Sequence, residues 1–299
     1  MGLPEVLMEE VTESERGARE FTFTRSDFDQ VKRLIYDHAG INLSDSKMDM
    51  VYSRLGRRLR AQGLTTFRDY LALVSSGDGV EWEAFVNALT TNLTDFFRES
   101  HHFPILADHL RAVRTRQPLN VWCSASSTGE EPYSLAMTAV EAFGTTTPPV
   151  RILATDIDTN VLEKARRGVY ALDRLGKVSE ERQKKFFLQG MGKNAGYARV
   201  KDFLRNMITF RQLNLLDDNW PIRGPFEAIF CRNVMIYFDK ETQRKILEKF
   251  LPLMRRDALL FMGHSEGLHH VADLFKINGR TVYSIVPATQ KNCFDRDSR

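Results

Sequence analysis

Residues 121–137 read V-W-C-S-A-S-S-T-G-E-E-P-Y-S-L-A-M. A short apolar run, Leu119 to Cys123, enters small and hydroxyl residues with one glycine. Glu130, Glu131 and Pro132 then open a helical pattern whose apolar side is Tyr133, Leu135, Ala136 and Met137. Strand, tight turn and helix N-terminus is the order in which a parallel α/β fold holds a nucleotide-like ligand at a strand's carboxyl end. The pyrophosphate signature G-x-G-x-x-G is missing, and Glu130 and Glu131 stand where phosphates need positive potential. The turn therefore suits an adenosine-like ligand that is not an anionic dinucleotide. That points to S-adenosylmethionine, a sulfonium cation with an amino-acid tail. An ordinary βα turn using Ser and Thr as N-caps fits the same residues, and this stretch alone does not choose between the two.

Outward from this turn the chain has the composition of a water-soluble globular protein: 299 residues, 42% hydrophobic and 27% charged. No apolar run approaches the ~20 residues of a membrane span. The start, MGLPEVLMEEVTESERGARE, is acidic and lacks the basic-then-apolar layout of a signal peptide. Cys123, Cys231 and Cys293 are too scattered for a disulfide framework or a zinc site. A cytoplasmic, reduced protein is expected. A net charge of +3 is small for a nucleic-acid binder, so any basic patch must be local.

Residues 1–20 read as a mobile tail. A helical pattern starts near Phe23, with Ser26 as the candidate cap and Phe28, Val31, Leu34 and Ile35 at helix spacing, and ends at Gly40-Ile41-Asn42. A second helix runs from about Ser46 through Val51, Leu55 and Leu59 to Gly63. Thr66 caps a third, ended by the Ser75–Gly79 stretch, and Glu81 to Leu89 forms a fourth. From Leu119 short apolar strands alternate with helices, the mark of a parallel sheet. The strands read as Leu119–Cys123, Arg151–Thr155, Ile208–Gln212, Ala228–Cys231, Leu259–Met262 and Thr281–Val286. Helices are expected near 131–143, 158–167, 240–254 and 265–275. The stretch from Tyr170 to Phe203 breaks the alternation and reads as an inserted helix plus a small antiparallel unit. The expected division is an all-α domain over 21–88, an α/β domain over 89–287 with its insert at about 171–204, and a loose tail over 288–299.

Several segments carry polar groups to strand ends. The second strand ends in Asp156, placed to accept ribose hydroxyls, whereas Asp158 reads as the N-cap of the next helix. Asn214 after the third strand suits an adenine edge and Leu215 a ring face; a plain polar turn fits the same residues. The run F-E-A-I-F-C-R-N-V-M-I-Y-F sets Arg232, Asn233 and Tyr237 at the switch point of an open sheet. A buried network fixing the strand end is the alternative there. In T-T-N-L-T-D-F-F-R-E-S-H-H-F, Asn92, Thr94 and Arg98 can point one way, anchored by Phe96, Phe97 and Phe103. His101 and His102 lack ligand-spaced partners, so no metal is expected. On the second helix, Arg54, Arg57 and Arg58 share a face with few acids to offset them, which suits docking of an acidic partner.

Taken together, TTNLTDFFRE, STGEEPYS, ATDIDTNVLEKAR, LNLL, IFCRNVMIYFD and GHSE at 263–266 resemble the CheR family of chemotaxis-receptor methyltransferases, over roughly Phe23 to Val286. The resemblance implies a helical N-terminal domain and a class I S-adenosylmethionine-dependent, Rossmann-like methyltransferase domain with an inserted antiparallel β-subdomain. It implies methyl transfer to glutamates on the cytoplasmic helical domain of transmembrane chemoreceptors, giving S-adenosylhomocysteine. By the same resemblance Asn92, Thr94, Arg98, Glu131, Asp156, Asn214, Leu215, Arg232 and Asn233 line the cofactor site. Arg98 and Tyr237 match positions beside the reacting centre. Arg54, Arg57 and Arg58 match the receptor-facing helix. The insert, with Gly190-Met191-Gly192-Lys193, resembles the subdomain that in some members grips a receptor's C-terminal peptide. A departure lies at Arg255-Arg256-Asp257-Ala258, where a Pro-Gly-type turn is usual. Competing readings are a methyltransferase of RNA or a small molecule, and a non-catalytic receptor-docking adaptor. Against them stand the lack of aromatic interleaving in the arginine helix and the intact TNLTDFFR and RNVMIY segments.

Overall fold

Local end chemistry sets the first helices: α1 (Arg25–Ala39), α2 (Met48–Gln62), α3 (Phe67–Ser75) and α4 (Gly79–Leu89). The computed structural model describes residues 19–77, 79–113 and 118–287. The expected tail 288–299, and that over 1–20 apart from its last residues, lie outside the described residues. Arg19 and Glu20 are described, and they bond Asp49 and Arg60 of α2. The cap of α1 is Thr24 rather than Ser26. Thr24 accepts the Asp27 N–H while the Asp27 carboxylate accepts the Thr24 N–H, and this reciprocal box outweighs a lone serine. Thr66 caps α3 through the Asp69 N–H, as its sequence implies.

Phe28, Val31 and Ile35 of α1 meet Leu55 and Leu59 of α2 and Phe67, Tyr70 and Leu71 of α3 in one buried cluster. Each such side chain contributes about 1.5–3 kcal/mol of burial. Inside that cluster Glu81 is only 1% exposed. Arg58 donates to both its oxygens, at 3.0 and 2.6 Å, and Tyr70 Oη donates at 2.8 Å. Burial alone would raise this carboxyl, but the bonds from Arg58 and Tyr70 outweigh it and hold the group below its ordinary value.

The second part adds α5 (His102–Ala112), β1 (Leu119–Cys123), α6 (Glu130–Phe143), β2 (Val150–Asp156) and α7 (Thr159–Arg167). An insert follows: β3 (Val169–Ala171), α8 (Glu180–Phe186), β4 (Phe187–Gln189), β5 (Tyr197–Val200) and α9 (Asp202–Arg205). The chain then forms β6 (Ile208–Gln212), β7 (Phe226–Cys231), α10 (Lys240–Phe250), β8 (Met254–Met262), β9 (Phe275–Gly279) and β10 (Val282–Ile285).

The main sheet has seven strands in the order β6-β2-β1-β7-β8-β10-β9. Pairs β1–β2, β1–β7, β2–β6 and β7–β8 are parallel, and β10 runs antiparallel to β8 and β9. Every residue of β7 is buried, as a strand covered on both faces requires. Successive strands leave β1 in opposite directions, so a crevice opens between the carboxyl ends of β1 and β7. The insert is a three-stranded antiparallel sheet in the order β3-β5-β4. This is the class I methyltransferase architecture expected, with the small added sheet and the helical N-terminus.

The structure corrects three readings. The helix expected over 265–275 is a 3-10 turn at His269–Val271 followed by β9. Arg280 and Thr281, with φ 49° and 59°, turn β9 back into β10 as a two-residue hairpin, and that pairing outweighs the helix-like spacing of Leu268 and Val271. No helix was expected at 102–112, where α5 forms. Residues 254–258 form no turn before the fifth strand but a bulge within β8, where Phe226 faces Met254 and Ala228 already faces Leu259. Among the described residues no helix is long and apolar enough to cross a membrane.

Candidate active site

A cavity opens at the carboxyl ends of β1, β2, β6 and β7. All the residues assigned to the cofactor from sequence, together with Tyr237, line it. The arginines of α2 do not. Two walls were not legible in sequence: Ala39 and Ile41 from the end of α1, and Ser127 from the glycine turn. The first exists because α1 stops at Gly40, φ 66°, where a Cβ would lie 2.9 Å from the Phe238 ring. Glycine thus lets the helical domain press against the site. Tyr237 O accepts the Asn42 N–H at 3.1 Å, closing the same seam.

On the ribose side Asp156 accepts the backbone N–H of Ser127 at 2.8 Å and of Asp158 at 3.0 Å. Burial pushes its carboxyl up to about 6, although those two backbone bonds oppose the shift. Asp158 is the N-cap of α7, accepting from Asn160 and Val161. Its other oxygen accepts from Thr90 Oγ1 and Asn92 Nδ2, each at 2.8 Å, and so anchors the loop that leads to Arg98. The side chain of Asn214 is taken up locally. Its Nδ2 donates to His38 O at 2.6 Å and its Oδ1 accepts the Leu216 N–H at 3.0 Å. Whatever it offers an adenine must share those bonds.

At the other end Arg232, 4% exposed, donates from Nη1 to Glu131 Oε2 at 2.8 Å and from Nη2 to Arg98 O. Cys123 Sγ donates to Glu131 Oε1 at 3.2 Å. Burial raises the Glu131 carboxyl, with Arg232 opposing. Arg232 Nε, Glu99 Oε2 and His102 Nδ1 are buried here with no hydrogen-bond partner. Arg98 donates from Nη1 to Leu93 O at 2.9 Å and stays half-buried at the cavity rim. Phe97, Glu99, Ser127 and Asn233 all have positive φ, 52°, 53°, 46° and 58°. Non-glycine residues held this way cluster where a site dictates geometry. Glu266 of the GHSE segment supports that turn by accepting the N–H of Asn233 at 2.8 Å and of Gly263 at 2.7 Å.

Two sequence arguments change. Glu99 comes up beside His101 and His102, with ligand atoms within 4.8 Å of one another, so these histidines do have a spatial partner. Both rings instead reach Arg280 O through Nε2, at 3.2 and 3.0 Å, and the Arg232 guanidinium stands 3.6 Å from Glu99 Oε2, where a cation would be repelled. Burial lowers His102 to about 4, with Arg232 adding to the shift. The arginines of α2 are better offset than their spacing implied. Arg58 is committed to Glu81 and Arg60 to Glu20, while Arg54 donates to Thr90 O at 2.6 Å. Arg57 is exposed and, among the described residues, lies within no ion pair.

The residues fit S-adenosylmethionine. A carboxylate stands at the end of β2 for the ribose, and Leu215 and Ile41 give an apolar wall for the base. Paired acid and guanidinium groups, one guanidinium nitrogen still without a partner, suit a zwitterionic amino-acid tail. No phosphate cradle is present in the turn.

Comparison with known proteins adds the following. Residues 92–284 match the family model "CheR methyltransferase, SAM binding domain", and residues 26–90 match "CheR methyltransferase, all-alpha domain". "Chemotaxis protein methyltransferase 2" of Pseudomonas aeruginosa is 53% identical over 269 residues, covering 90% of this chain and 96% of the relative. "Chemotaxis protein methyltransferase" of Escherichia coli is 51% identical over 259 residues, 86% of this chain and 90% of that one. The protein of the same name from Salmonella typhimurium is also 51% identical over 259 residues, 86% and 89% of the two chains.

Proposed function

This chain belongs to the CheR methyltransferase family, and from that premise we propose that it methylates glutamate carboxylates on the cytoplasmic helical domain of transmembrane chemoreceptors. The products are glutamate methyl esters and S-adenosylhomocysteine, and the role is chemotactic adaptation. The observation that carries this reading is the pairing of Arg98 and Tyr237 on one cavity whose other walls are Asp156 and the Glu131–Arg232 pair.

When bound, S-adenosylmethionine supplies a methyl group made electrophilic by its sulfonium. Asp156 would take the ribose hydroxyls, Leu215 and Ile41 the base, and Glu131 with Arg232 the amino-acid tail. A glutamate with an ordinary pKa of about 4.3 is already ionised at neutral pH, so no residue need act as general base. Arg98 holds the incoming carboxylate at the rim, and Tyr237 fixes its approach. The chain's contribution is then mostly positioning. The buried Glu131–Arg232 pair adds little net charge, which suits a reaction whose anionic and cationic partners neutralise each other.

For docking we assign the face of α2 around Arg57, with the exposed parts of Arg54 and Arg58, to acidic receptor helices. To the receptor's C-terminal peptide we assign the inserted sheet, where Leu188, Met191 and Tyr197 are 53%, 85% and 52% exposed. Incubation with methyl-tritiated cofactor and chemoreceptor-containing membranes tests the reaction. Label should enter the receptor band and leave as volatile methanol in base, the behaviour of a carboxyl ester. Base-stable label, or label in RNA only, would overturn the reading, and a protein that binds the cofactor yet labels nothing would be an adaptor.

A further inference from the structure

The inserted subdomain grips the loop that carries Arg98 almost residue by residue. Arg174 Nη2 donates to Thr94 O at 2.7 Å and to Glu130 Oε1 at 2.6 Å. Lys177 Nζ donates to Asp95 Oδ2 at 2.8 Å. The Phe96 ring meets Tyr170 and Phe187 edge-on, with centroids 5.0 and 5.6 Å apart. The Arg182 guanidinium lies 4.2 Å from the centroid of Phe97. Thr94, Asp95, Phe96 and Phe97 thus all rest on the segment 170–187, and Arg98 comes next.

The same segment holds the opposite wall. Tyr170 Oη donates to Thr128 O at 2.8 Å, and a Cβ on Gly129 would stand 2.7 Å from Tyr170 Oη. Glu130 is 1% exposed, with its second oxygen accepting from Thr128 Oγ1 at 2.6 Å. A cationic partner stabilises a carboxylate at that depth, and Arg174 reaches in from the insert to supply one. One guanidinium nitrogen therefore ties the turn that starts α6 to the loop that ends in Arg98. That loop includes the positive-φ residues Phe97 and Glu99, a backbone that persists only where its surroundings hold it.

We infer that Arg174 is a positioning residue for methyl transfer: it clamps the Thr94–Arg98 loop onto the Glu130 turn and so fixes where Arg98 meets the substrate. This deepens the role proposed for Arg98 and rests on it. A lysine at this position ends about one bond short of the Nη2 atom, so it restores charge without full reach.

The test compares Arg174→Ala and Arg174→Lys with the wild-type chain, and with Lys184→Ala as a control on the exposed side of the insert. Turnover and KM are measured on receptor membranes and S-adenosylhomocysteine affinity by calorimetry. Hydrogen exchange is followed at the Phe97 and Arg98 amides. Arg174→Ala is expected to lower kcat at least about tenfold, with KM and cofactor affinity within about threefold, and to speed exchange at both amides about tenfold. Arg174→Lys should fall between it and wild type, and Lys184→Ala should match wild type. A kcat within about threefold of wild type, or unchanged exchange at both amides, overturns the clamp. Equal losses of turnover and cofactor affinity also overturn it, because they mark a general structural role. Should Arg174→Ala fail to fold, Arg174→Lys against wild type is judged by the direction of the same changes. Exchange needs no substrate, so if the wild-type chain labels no receptor the activity reading fails while the clamp is still decided.

Discussion

Glu81 in the helical domain and Glu131 in the cavity are both buried beside an arginine, yet their surroundings are finished differently. Glu81 takes two bonds from Arg58 and one from Tyr70, and its carboxyl is held below its ordinary value. Glu131 has Arg232 and a weak thiol donor, and its carboxyl is raised. Next to it Arg232 Nε, Glu99 Oε2 and His102 Nδ1 stand buried without hydrogen-bond partners. A completed buried network rigidifies a fold. An incomplete one leaves valences, and of these three groups Arg232 lines the cavity where a ligand can satisfy it. Charge and burial are similar at the two places, and completeness separates scaffold from site.

The comparison can be broken at either end. The largest effect is expected for Arg98→Ala, which should lower methyl transfer about 1,000-fold in the tritium assay while leaving the melting temperature close to wild type. Near-normal turnover would take Arg98 out of the reacting centre. Next comes Arg58→Ala, which strands Glu81 and should cost about 3 kcal/mol in urea unfolding. If stability holds and only receptor KM rises, Arg58 belongs to the docking surface and the contrast with Arg232 fails.

A middle-sized effect sharpens the ribose side. Asp156 has its carboxyl raised to about 6 by burial, and ribose hydroxyls donate best to its ionised form. Affinity should therefore be full above that value and fall as pH drops through it, about tenfold weaker at pH 5 than at pH 8 by calorimetry. Asp156→Asn should be weak at all pH and flat. A flat wild-type curve would remove the contact. The smallest effect is expected for Arg57→Glu: roughly threefold higher KM for receptor membranes with cofactor affinity unchanged, since an exposed charge at a rim acts mainly on encounter. No change would leave α2 without a docking role.

Much of the sheet was legible because its signals are short-range. Ile208–Gln212 and Leu119–Cys123 form the strands their apolar runs imply, and Asp158 caps α7 as an aspartate before a helical run does. Helix α5 was not among the expected helices, and within it stands Pro104. It lies in the first turn, where the missing N–H costs little. In 265–275, Leu268 and Val271 mimic helix spacing, and only the pairing of β9 with β10 decides for a strand. Asn214, read toward the adenine, lines the cavity and also donates to His38 O of the helical domain at 2.6 Å, a bond that no local pattern shows.

By itself the sequence determined the order of helices and strands, the switch-point crevice and the residue types offered there, because periodicity, caps and turns act over a few neighbours. Which arginines are surface and which are structure was decided by the tertiary fold. Arg58 meets its glutamate 23 residues away, and Arg232 finds Glu131 at a separation of 101. The roof that α1 forms over the cavity and the grip of the insert on the Arg98 loop are of the same kind. Ion pairing and burial depend on distance in space, and no local pattern along the chain encodes it.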